Sequence, residues 1–400
     1  QALKINPDYP ALHNNLGNAF KELGQIDNAL KSYKSALIHN PDNADSHNYI
    51  GNIFSELGQH DDAVKSYERA IGINPEYADA YNNLGNALRD SEQLESALKS
   101  FEKSVELNPN FPEAYNNLGN LLKGLGRFDD AVKSFKKSIK ISSNFAEAHN
   151  NYGNLLADLG RRDDSIKSFK KAIEINPNFA EAYNNLGNLL TMDSKLLNQA
   201  VKCFEKAVEI NPDFAIAHNN LGNLLVDLGQ LDEAVKNFKI AISIKPNYAQ
   251  AHNNYGIALD ALGDQSAADK CYKKAISIKP NYAAAYANHA ELLTDLKQFD
   301  EALSSFKYAI KLNPNINFSL GNFLHTKMHL CIWDNLSNHL NEIQEKVINS
   351  VNQIAGSIKD IKLFIYVAQK LLENPIQFHF ILQGAVLESQ KHYYAEVIDL

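Results

Sequence analysis

Apolar and small residues recur along the chain with the spacing of a helix that has one buried face. In the third copy of the pattern, Tyr81, Leu84, Gly85 and Leu88 stand at i, i+3, i+4 and i+7, which predicts a helix with a single apolar stripe. The segment 97–104 repeats the principle with Ala, Phe and Ser at its inward positions and predicts a second helix. The pattern therefore predicts a pair of helices, with glycine allowing the two to approach closely.

A hexad of the type Tyr/His-Asn-Asn-Leu-Gly-Asn marks the first helix of each pair. It occurs in nine copies, whose starts are 34 residues apart except for one step of 35, in which the extra residue falls within 191–199 and lengthens a turn. The copies begin at His13, His47, Tyr81, Tyr115, His149, Tyr183, His218, His252 and Tyr286. A fixed period of this kind predicts one array of repeats rather than two or three globular domains.

Glycine, aspartate and proline recur at the positions where the helices of a copy are expected to begin or end. A glycine in the left-handed conformation is expected after the first helix, at Gly24, Gly58, Gly126, Gly160, Gly229 and Gly263, with Glu92 in this place in the third copy. Aspartates are expected to cap the second helix, at Asp27, Asp61, Asp129, Asp163 and Asp232. Prolines end almost every copy, because proline cannot continue a helix.

These positions together resemble the tetratricopeptide repeat (TPR), whose signature has an aromatic residue, Leu-Gly, Ala, an aromatic residue and a closing Pro at this spacing. The resemblance covers residues 1–314, as a partial repeat over 1–9 and then nine repeats, with Tyr or His in place of the family's leading Trp. It implies an all-α fold, a right-handed superhelical solenoid of about nine helix-turn-helix repeats.

The segment 315–400 follows the repeats and is also helical in pattern. Leu320-Gly-Asn322 echoes the hexad but arrives three residues early, so we expect the array to end and a helical extension to cover the exposed apolar face of the ninth repeat. The stretch from Leu324 to Asp334, with its Leu-Cys-x-Trp core, resembles the segment that joins the TPR array to the catalytic region in the protein O-GlcNAc transferase and SPINDLY-like family. The Asn-rich style of the hexads resembles that family too.

The third and sixth residues of the hexad point away from the apolar stripe, since successive residues of a helix are about 100° apart. If first helices line the inner wall of the solenoid, these residues line its groove. The third position holds Asn15, Asn83, Asn117, Asn151, Asn185, Asn220, Asn254 and Asn288, interrupted by Tyr49. The sixth position holds Asn86, Asn120, Asn154, Asn188 and Asn223, as well as Asn18 and Asn52, and then becomes Ile257 and Glu291.

A row of asparagines is suited to holding an extended peptide, because an amide has a donor end and an acceptor end and can pair with any peptide group. The family resemblance implies such a ladder along the groove. The alternative is that these amides form hydrogen bonds between repeats or face water. Acids that precede the hexads, Asp79, Glu113, Glu147 and Glu181, would favour basic peptides, although a solvated polar face explains them nearly as well.

Charge and cysteine content narrow the partners. A net charge of -8 argues against binding to nucleic acid or to an anionic membrane, and the chain has no apolar run long enough for a membrane span. Three scattered cysteines suggest reduced thiols in a cytoplasmic protein. We therefore expect proteins or extended peptides as partners, and nothing in the sequence indicates an oligomeric state.

The sequence shows no catalytic grouping, so no cofactor or metal is expected within this chain. His325 and His329 have the spacing of metal ligands but lack a third ligand. The sequence leaves two main functions open. One is the substrate-recognition arm of an O-GlcNAc transferase-like enzyme, with a UDP-sugar donor bound by a catalytic region beyond residue 400; the other is a standalone scaffold for protein complexes.

Overall fold

The chain folds into alternating first and second helices, as the period predicts. The computed structural model describes residues 9–314, 316, 319–330 and 332, and the rest of the segment 315–400 lies outside the described residues. The first helices are α1 (Pro10–Glu22), α3 (Ala44–Glu56), α5 (Ala78–Asp90), α7 (Pro112–Gly124), α9 (Ala146–Asp158), α11 (Ala180–Leu190), α13 (Ala215–Asp227), α15 (Ala249–Ala261) and α17 (Ala283–Asp295). The second helices are α2 (Ile26–His39), α4 (His60–Ile73), α6 (Leu94–Leu107), α8 (Phe128–Ile141), α10 (Arg162–Ile175), α12 (Leu197–Ile210), α14 (Leu231–Ile244), α16 (Gln265–Ile278) and α18 (Phe299–Leu312), and α19 (Ser319–His329) follows them.

The expected all-α solenoid fold is confirmed for the described residues, which contain no strand. The chain divides between Leu189 and Leu190 into two compact units. Unit 1 contains α1 to α10 and nearly all of α11, and unit 2 contains α12 to α19. The division falls beside the extra residue of the sixth repeat, where a short 3₁₀ turn, Ser194–Leu196, separates α11 from α12.

Close contact between glycine and an aromatic ring joins the two helices of a repeat. In the third repeat, a Cβ added to Gly85 would lie 2.7 Å from the ring of Phe101, and Phe101 is completely buried. The same pairing recurs at Gly119 with Phe135. The small residue predicted at the fifth hexad position is therefore needed for the approach of the second helix.

First helices form the inner side of each unit. In unit 1, α3 contacts α5, α5 contacts α7 and α7 contacts α9; in unit 2, α13 contacts α15, α15 contacts α17 and α17 contacts α19. Successive second helices make no comparable contact in the described part of the chain. The third and sixth hexad residues of each unit consequently lie on the side where neighbouring helices are closest.

The predicted turn glycines are confirmed, but the predicted caps are wrong. All six glycines have φ between 70° and 84°, and Glu92 and Lys297 take the same left-handed conformation at φ 60°. The second helices that follow begin two residues earlier than expected, with N-caps such as Gln25 and Gln59 that make no side-chain cap bond. The five aspartates lie inside the first turn, where their charge interacts favourably with the helix dipole.

Helix α19 continues the register of the repeats. The Leu-Gly pair arrives early, but Asn322 stands 34 residues after Asn288, and its amide donates to Glu291 over 2.9 Å. Phe323 and Leu324 of α19 are buried in a cluster with Phe306 of α18. Helix α19 thus covers apolar residues of the ninth repeat, and the end of the array at residue 314 stays a prediction.

Candidate functional site

The third-position asparagines connect neighbouring repeats. The amide nitrogen of Asn117 donates to the side-chain oxygen of Asn82, the second hexad residue of the preceding repeat, over 3.0 Å. The same bond joins Asn83 to Asn48 (3.1 Å), Asn151 to Asn116 (3.1 Å) and Asn185 to Asn150 (3.0 Å) in unit 1, and Asn254 to Asn219 (3.1 Å) and Asn288 to Asn253 (2.9 Å) in unit 2. The alternative of bonding between repeats is thus present at six of the predicted positions.

Asn15 and Asn220 complete the row of third-position asparagines. Asn15 in the first repeat is exposed. Asn220 is half-buried and accepts a bond from its neighbour Asn219 over 3.4 Å. A peptide ligand could still reach the remaining donor and acceptor sites of these amides, so their part in peptide binding stays a prediction.

The second hexad residue is a structural component that the sequence reasoning missed. Asn82 and Asn116 are 6% and 4% exposed, and each offers its side-chain oxygen to the next repeat. The signal was in the sequence, because this position is Asn in eight hexads out of nine, with Ala287 in the last. Buried asparagine at a constant position requires a constant partner.

The sixth-position asparagines differ from the third because several keep their amides unbonded. Asn86, Asn120, Asn154 and Asn223 are half-buried, and their side chains have no hydrogen-bond partner among the described residues. In the first two repeats, by contrast, Asn18 and Asn52 accept bonds from the hydroxyls of Tyr33 and Tyr67 over 2.7 and 2.8 Å.

Phenylalanine replaces that tyrosine in the following repeats, at Phe101, Phe135 and Phe169, so the hydroxyl is missing there. Asn188, the sixth-position residue of the sixth repeat, is exposed. Unit 1 consequently presents, in each of its third, fourth and fifth repeats, one sixth-position amide without a partner in the described part of the chain.

Carboxylates on the same face differ in how far they are neutralised. The acids that precede the hexads, Asp79, Glu113, Glu147 and Glu181, are exposed. Among the described residues these four form no ion pair. The acids that follow the hexads are partly paired, since Lys21 reaches Glu56 over 2.6 Å and Lys123 reaches Asp158 over 2.8 Å. The net negative charge of the face therefore comes mainly from the preceding acids.

Unit 2 has a different set of residues at the equivalent positions. Ile216 and Gln250 replace the preceding acids, and Ile257 and Glu291 replace the sixth-position asparagines. Burial and the charges of Asp295 and Asp260 raise the pKa of the Glu291 carboxyl, although the bond from Asn322 opposes them. The combination of free amides and unpaired acids is thus a property of unit 1.

The histidines at the first hexad position bond to the backbone. His47 lies 3.0 Å from the carbonyl of Pro41, and His149, His218 and His252 lie 3.0 to 3.2 Å from the carbonyl six residues before them. Because a carbonyl only accepts, the ring nitrogen Nε2 must donate, and the histidine joins the first helix to the end of the preceding repeat. These histidines therefore have a structural role at the junction between repeats.

The described residues contain no group of three or more His, Cys, Asp and Glu side chains placed to hold a metal ion. They also contain no helix that is long and apolar enough to cross a membrane.

Several solved structures are similar to this chain. YrrB, described as a TPR protein with an unusual peptide-binding site, is 26% identical over 46% of this chain and 95% of its own, with a TM-score of 0.38. MamA is 28% identical over 42% of this chain and 97% of its own, with a TM-score of 0.37. The Cut9–Hcn1 hetero-tetramer of the APC/C is 15% identical over 79% of this chain and 76% of its own, with a TM-score of 0.55, a likeness of fold. No curated protein matches the chain.

Models of the TPR family match most of the chain. A model described as TPR repeat matches residues 17–58, 51–89, 85–126, 153–194 and 222–263. Models described as tetratricopeptide repeat match 112–145, 203–236, 180–214, 249–282 and 283–316. The matches together span residues 17–145 and 153–316, far more than half of the chain, and the protein therefore belongs to the tetratricopeptide-repeat family.

Proposed function

We propose that this protein is a protein-binding TPR array that holds extended polypeptide segments along the inner face of unit 1. The observation that carries the proposal is the set of half-buried amides of Asn86, Asn120 and Asn154, which have no partner among the described residues. These amides are not among the buried polar atoms without a partner, so water reaches them, and the peptide groups of a ligand could take the place of that water.

The spacing of the amides suits an extended chain. Packed helices lie about 8–10 Å apart, and an extended strand advances about 3.3 Å per residue. One amide therefore meets about every third residue of the ligand, and the three together span about seven residues. Because an amide pairs with a peptide group whatever its side chain, binding should be tolerant of ligand sequence.

The charge of the inner face favours some ligand sequences over others. Asp79, Glu113, Glu147 and Glu181 are exposed and unpaired in the described part of unit 1, so basic segments should bind more tightly and salt should weaken them. A net hydrogen bond contributes about 0.5 to 1.5 kcal/mol, whereas association costs about 4 to 15 kcal/mol. A single short peptide should therefore bind weakly.

The test compares two triple variants. The first changes Asn86, Asn120 and Asn154 to Ala; the control changes Asn110, Asn178 and Asn247, exposed turn residues between repeats, to Ala. The probe is a fluorescein-labelled 12-residue peptide of alternating Lys and Ser, with a matched peptide whose backbone nitrogens are alternately methylated. Fluorescence anisotropy measures the affinity.

We expect the groove variant to lose affinity tenfold or more and the control to keep it, with little change in melting temperature for either. Methylation should weaken binding to the wild type but have little further effect on the groove variant. Equal affinity of both variants for the unmodified peptide would exclude the amides as ligand contacts.

A second candidate function is the substrate-recognition arm of a protein O-GlcNAc transferase-like enzyme. It is supported by the Asn-rich hexads and by the stretch from Leu324 to Asp334, of which α19 contains the part up to His329. The UDP-sugar donor would then be bound by a region beyond residue 400, and Cys203 and Cys271, which are not disulfide-bonded, suit the cytoplasmic location that we propose.

The natural gene product decides between this arm and a standalone scaffold. The full-length protein is incubated with UDP-GlcNAc and a Ser/Thr-rich peptide, and transfer is followed by mass spectrometry. A coding sequence without a nucleotide-sugar-binding region after residue 400 would exclude the glycosyltransferase arm and leave the scaffold.

A further inference from the structure

Tyr49 interrupts the row of third-position asparagines in the second repeat. It lies on the inner face of α3 in line with Asp45, Asn52 and Glu56, since residues spaced by 4, 3 and 4 positions share one face of a helix. The site occupied by an amide in neighbouring repeats thus carries an aromatic ring with a carboxylate on each side.

The ring of Tyr49 is held in place by a second aromatic ring. It packs on the ring of Tyr33, with centroids 5.3 Å apart and planes tilted by 33°. Tyr33 is itself completely buried and donates its hydroxyl to Asn18 over 2.7 Å. Tyr49 is only half-buried, so one part of its ring is fixed by packing while another part faces the groove.

The hydrogen bond that joins the first two repeats does not involve Tyr49. At other junctions the third-position asparagine bonds to the second-position asparagine of the preceding repeat, but here Ser46 donates its hydroxyl to Asn14 over 2.8 Å. Other repeats have alanine at the position of Ser46, for example Ala80 and Ala114. The serine therefore replaces the missing hydrogen bond, and the part of the Tyr49 ring that is not packed on Tyr33 is available to a ligand.

Negative charge surrounds the ring. Tyr77, at the start of α5, lies near Asp45, and burial, followed by the nearby Asp45, Tyr49 and Asp79, raises the pKa of Tyr77. Burial, Tyr49 and Glu56 raise the pKa of Tyr33 to about 12. Lys21 neutralises Glu56 at 2.6 Å. Asp45 and Asp79 are exposed and have no cationic partner among the described residues.

We propose that Tyr49, Asp45 and Asp79 bind the side chain of an arginine in the polypeptide that lies along the inner face of unit 1. A guanidinium stacks on an aromatic face and donates to carboxylates in the same plane. This proposal rests on the proposed function. It adds one position that recognises a ligand side chain to a face that otherwise recognises the ligand backbone.

The experiment measures the coupling between the arginine and the tyrosine. The probes are two fluorescein-labelled 12-residue peptides of Ser, Thr, Gly and Ala, one with a central arginine and one with citrulline, which has nearly the same shape without the charge. Each is titrated by anisotropy against the wild type, Tyr49→Asn and Tyr49→Phe. Tyr49→Asn installs the residue that eight other repeats carry at this position, and circular dichroism checks its fold.

The wild type should prefer arginine over citrulline by about tenfold, a value within the range of a partly desolvated cation–π contact. Tyr49→Asn should reduce this preference to twofold or less, and Tyr49→Phe should keep most of it, because the ring face remains. Equal preference in the wild type and Tyr49→Asn would overturn the proposal, and so would loss of the preference in Tyr49→Phe.

The two proposals fail separately. If the groove variant at Asn86, Asn120 and Asn154 loses affinity but the arginine preference does not depend on Tyr49, only the cation site is refuted. If the preference depends on Tyr49 while the groove variant binds normally, the cation site stands and backbone recognition by the amides is refuted.

Discussion

The side-chain amide of Asn117 donates to the side-chain oxygen of Asn82 across the junction between the third and fourth repeats, over 3.0 Å. Asn82 is 6% exposed, and this is the one bond that its side-chain oxygen accepts among the described residues. Three residues further along α7, Asn120 has no such partner. The two asparagines of this hexad thus have different roles. Asn117 joins neighbouring repeats, and Asn120 is available to a ligand.

The first prediction concerns the stability of that junction. Asn117→Ala leaves the buried oxygen of Asn82 without a donor, and we expect a loss of about 1–3 kcal/mol in the free energy of unfolding. Urea unfolding followed by circular dichroism measures it. The bond also means that changing Asn117, Asn151 and Asn185 together would destabilise the array, so such a variant is a poor probe of peptide binding.

Asn120→Ala is the matched control, since it removes the same chemical group from the same helix. Its unfolding midpoint should stay close to that of the wild type, because alanine favours the helix and no internal bond is lost. Equal destabilisation by the two substitutions would mean that the bond to Asn82 contributes nothing to the junction.

The sequence predicted the helix pairs, their turns and the faces of the hexad, because burial imposes a period on apolar residues. It could not separate the duties of Asn117 and Asn120. Both are asparagines on the polar side of one helix. Which of the two amides forms a hydrogen bond with Asn82 depends only on the position of the neighbouring repeat. Contacts between repeats depend on the rotation of one helix pair against the next, which a single-helix projection does not contain.

A second prediction tests the approach of the two helices within a repeat. Gly119→Ala would place a methyl group 2.8 Å from the ring of Phe135, and we expect a net cost of about 1–2 kcal/mol, since overpacking outweighs the gain in helix propensity. The ninth repeat carries Ala290 opposite Phe306, both fully buried. The two helices can therefore pack around an alanine at this position, so the variant should still fold, with lower stability.

Gly124→Ala in the same helix is the control. An added Cβ at Gly124 meets nothing within 4 Å, and the substitution should stabilise α7 by about 0.5 kcal/mol. Thermal unfolding of the two variants should therefore shift in opposite directions from the wild type. A shift in the same direction for both would contradict the role assigned to the ring of Phe135.

A third prediction exploits the left-handed turn residues. Glu92 has φ 60°, where six other repeats have glycine. Because a side chain in this conformation costs about 1–2 kcal/mol, we expect Glu92→Gly to stabilise the protein by up to about 1 kcal/mol, after the greater chain entropy of glycine is deducted.

The reciprocal change, Gly126→Ala at φ 73°, should destabilise by about 1 kcal/mol. Neither position contacts a predicted ligand residue, so binding of the Lys-Ser peptide should be unchanged in both variants. Destabilisation by Glu92→Gly would show that the glutamate side chain stabilises the turn by more than its backbone strain costs.

Two local departures from the repeat show where sequence reasoning reached its limit. The bond from Ser46 to Asn14 explains why Tyr49 is tolerated, but each residue alone reads as a chance substitution. Asn322 keeps the spacing of the array although the glycine beside it is shifted. In both cases a partner in the neighbouring repeat preserves the junction, and such compensation is visible only when the partners are placed side by side.

The last prediction concerns pH and the junction between the eighth and ninth repeats. His289 is 7% exposed and lies 2.8 Å from Asp269, which also pairs with Lys273 over 2.8 Å. Burial lowers the pKa of His289 even though the bond to Asp269 opposes it. Burial tends to raise the pKa of Asp269, but its bonds to Lys273 and His289 outweigh that effect and lower it.

Both shifts make the folded protein less stable in acid, at different pH. When the pKa of a histidine is lower in the folded state, the protein loses stability as the pH falls below the ordinary histidine pKa of about 6.5. An aspartate whose pKa is lowered keeps its contribution above about pH 4 and loses it in stronger acid. Between pH 7.5 and 5.5, the histidine rather than the aspartate of this pair therefore contributes to the dependence of stability on pH.

His289→Leu, which installs the residue found at this hexad position in most other repeats, should reduce the loss of stability between pH 7.5 and 5.5. Urea midpoints of the two proteins at each pH measure the difference. Burial also lowers the pKa of His149 and His252, but both proteins share those residues, so they cancel in the comparison. Parallel curves would exclude His289 as a source of the pH dependence, and a wild type that gains stability in acid relative to His289→Leu would mean that the attraction to Asp269 exceeds the effect of burial.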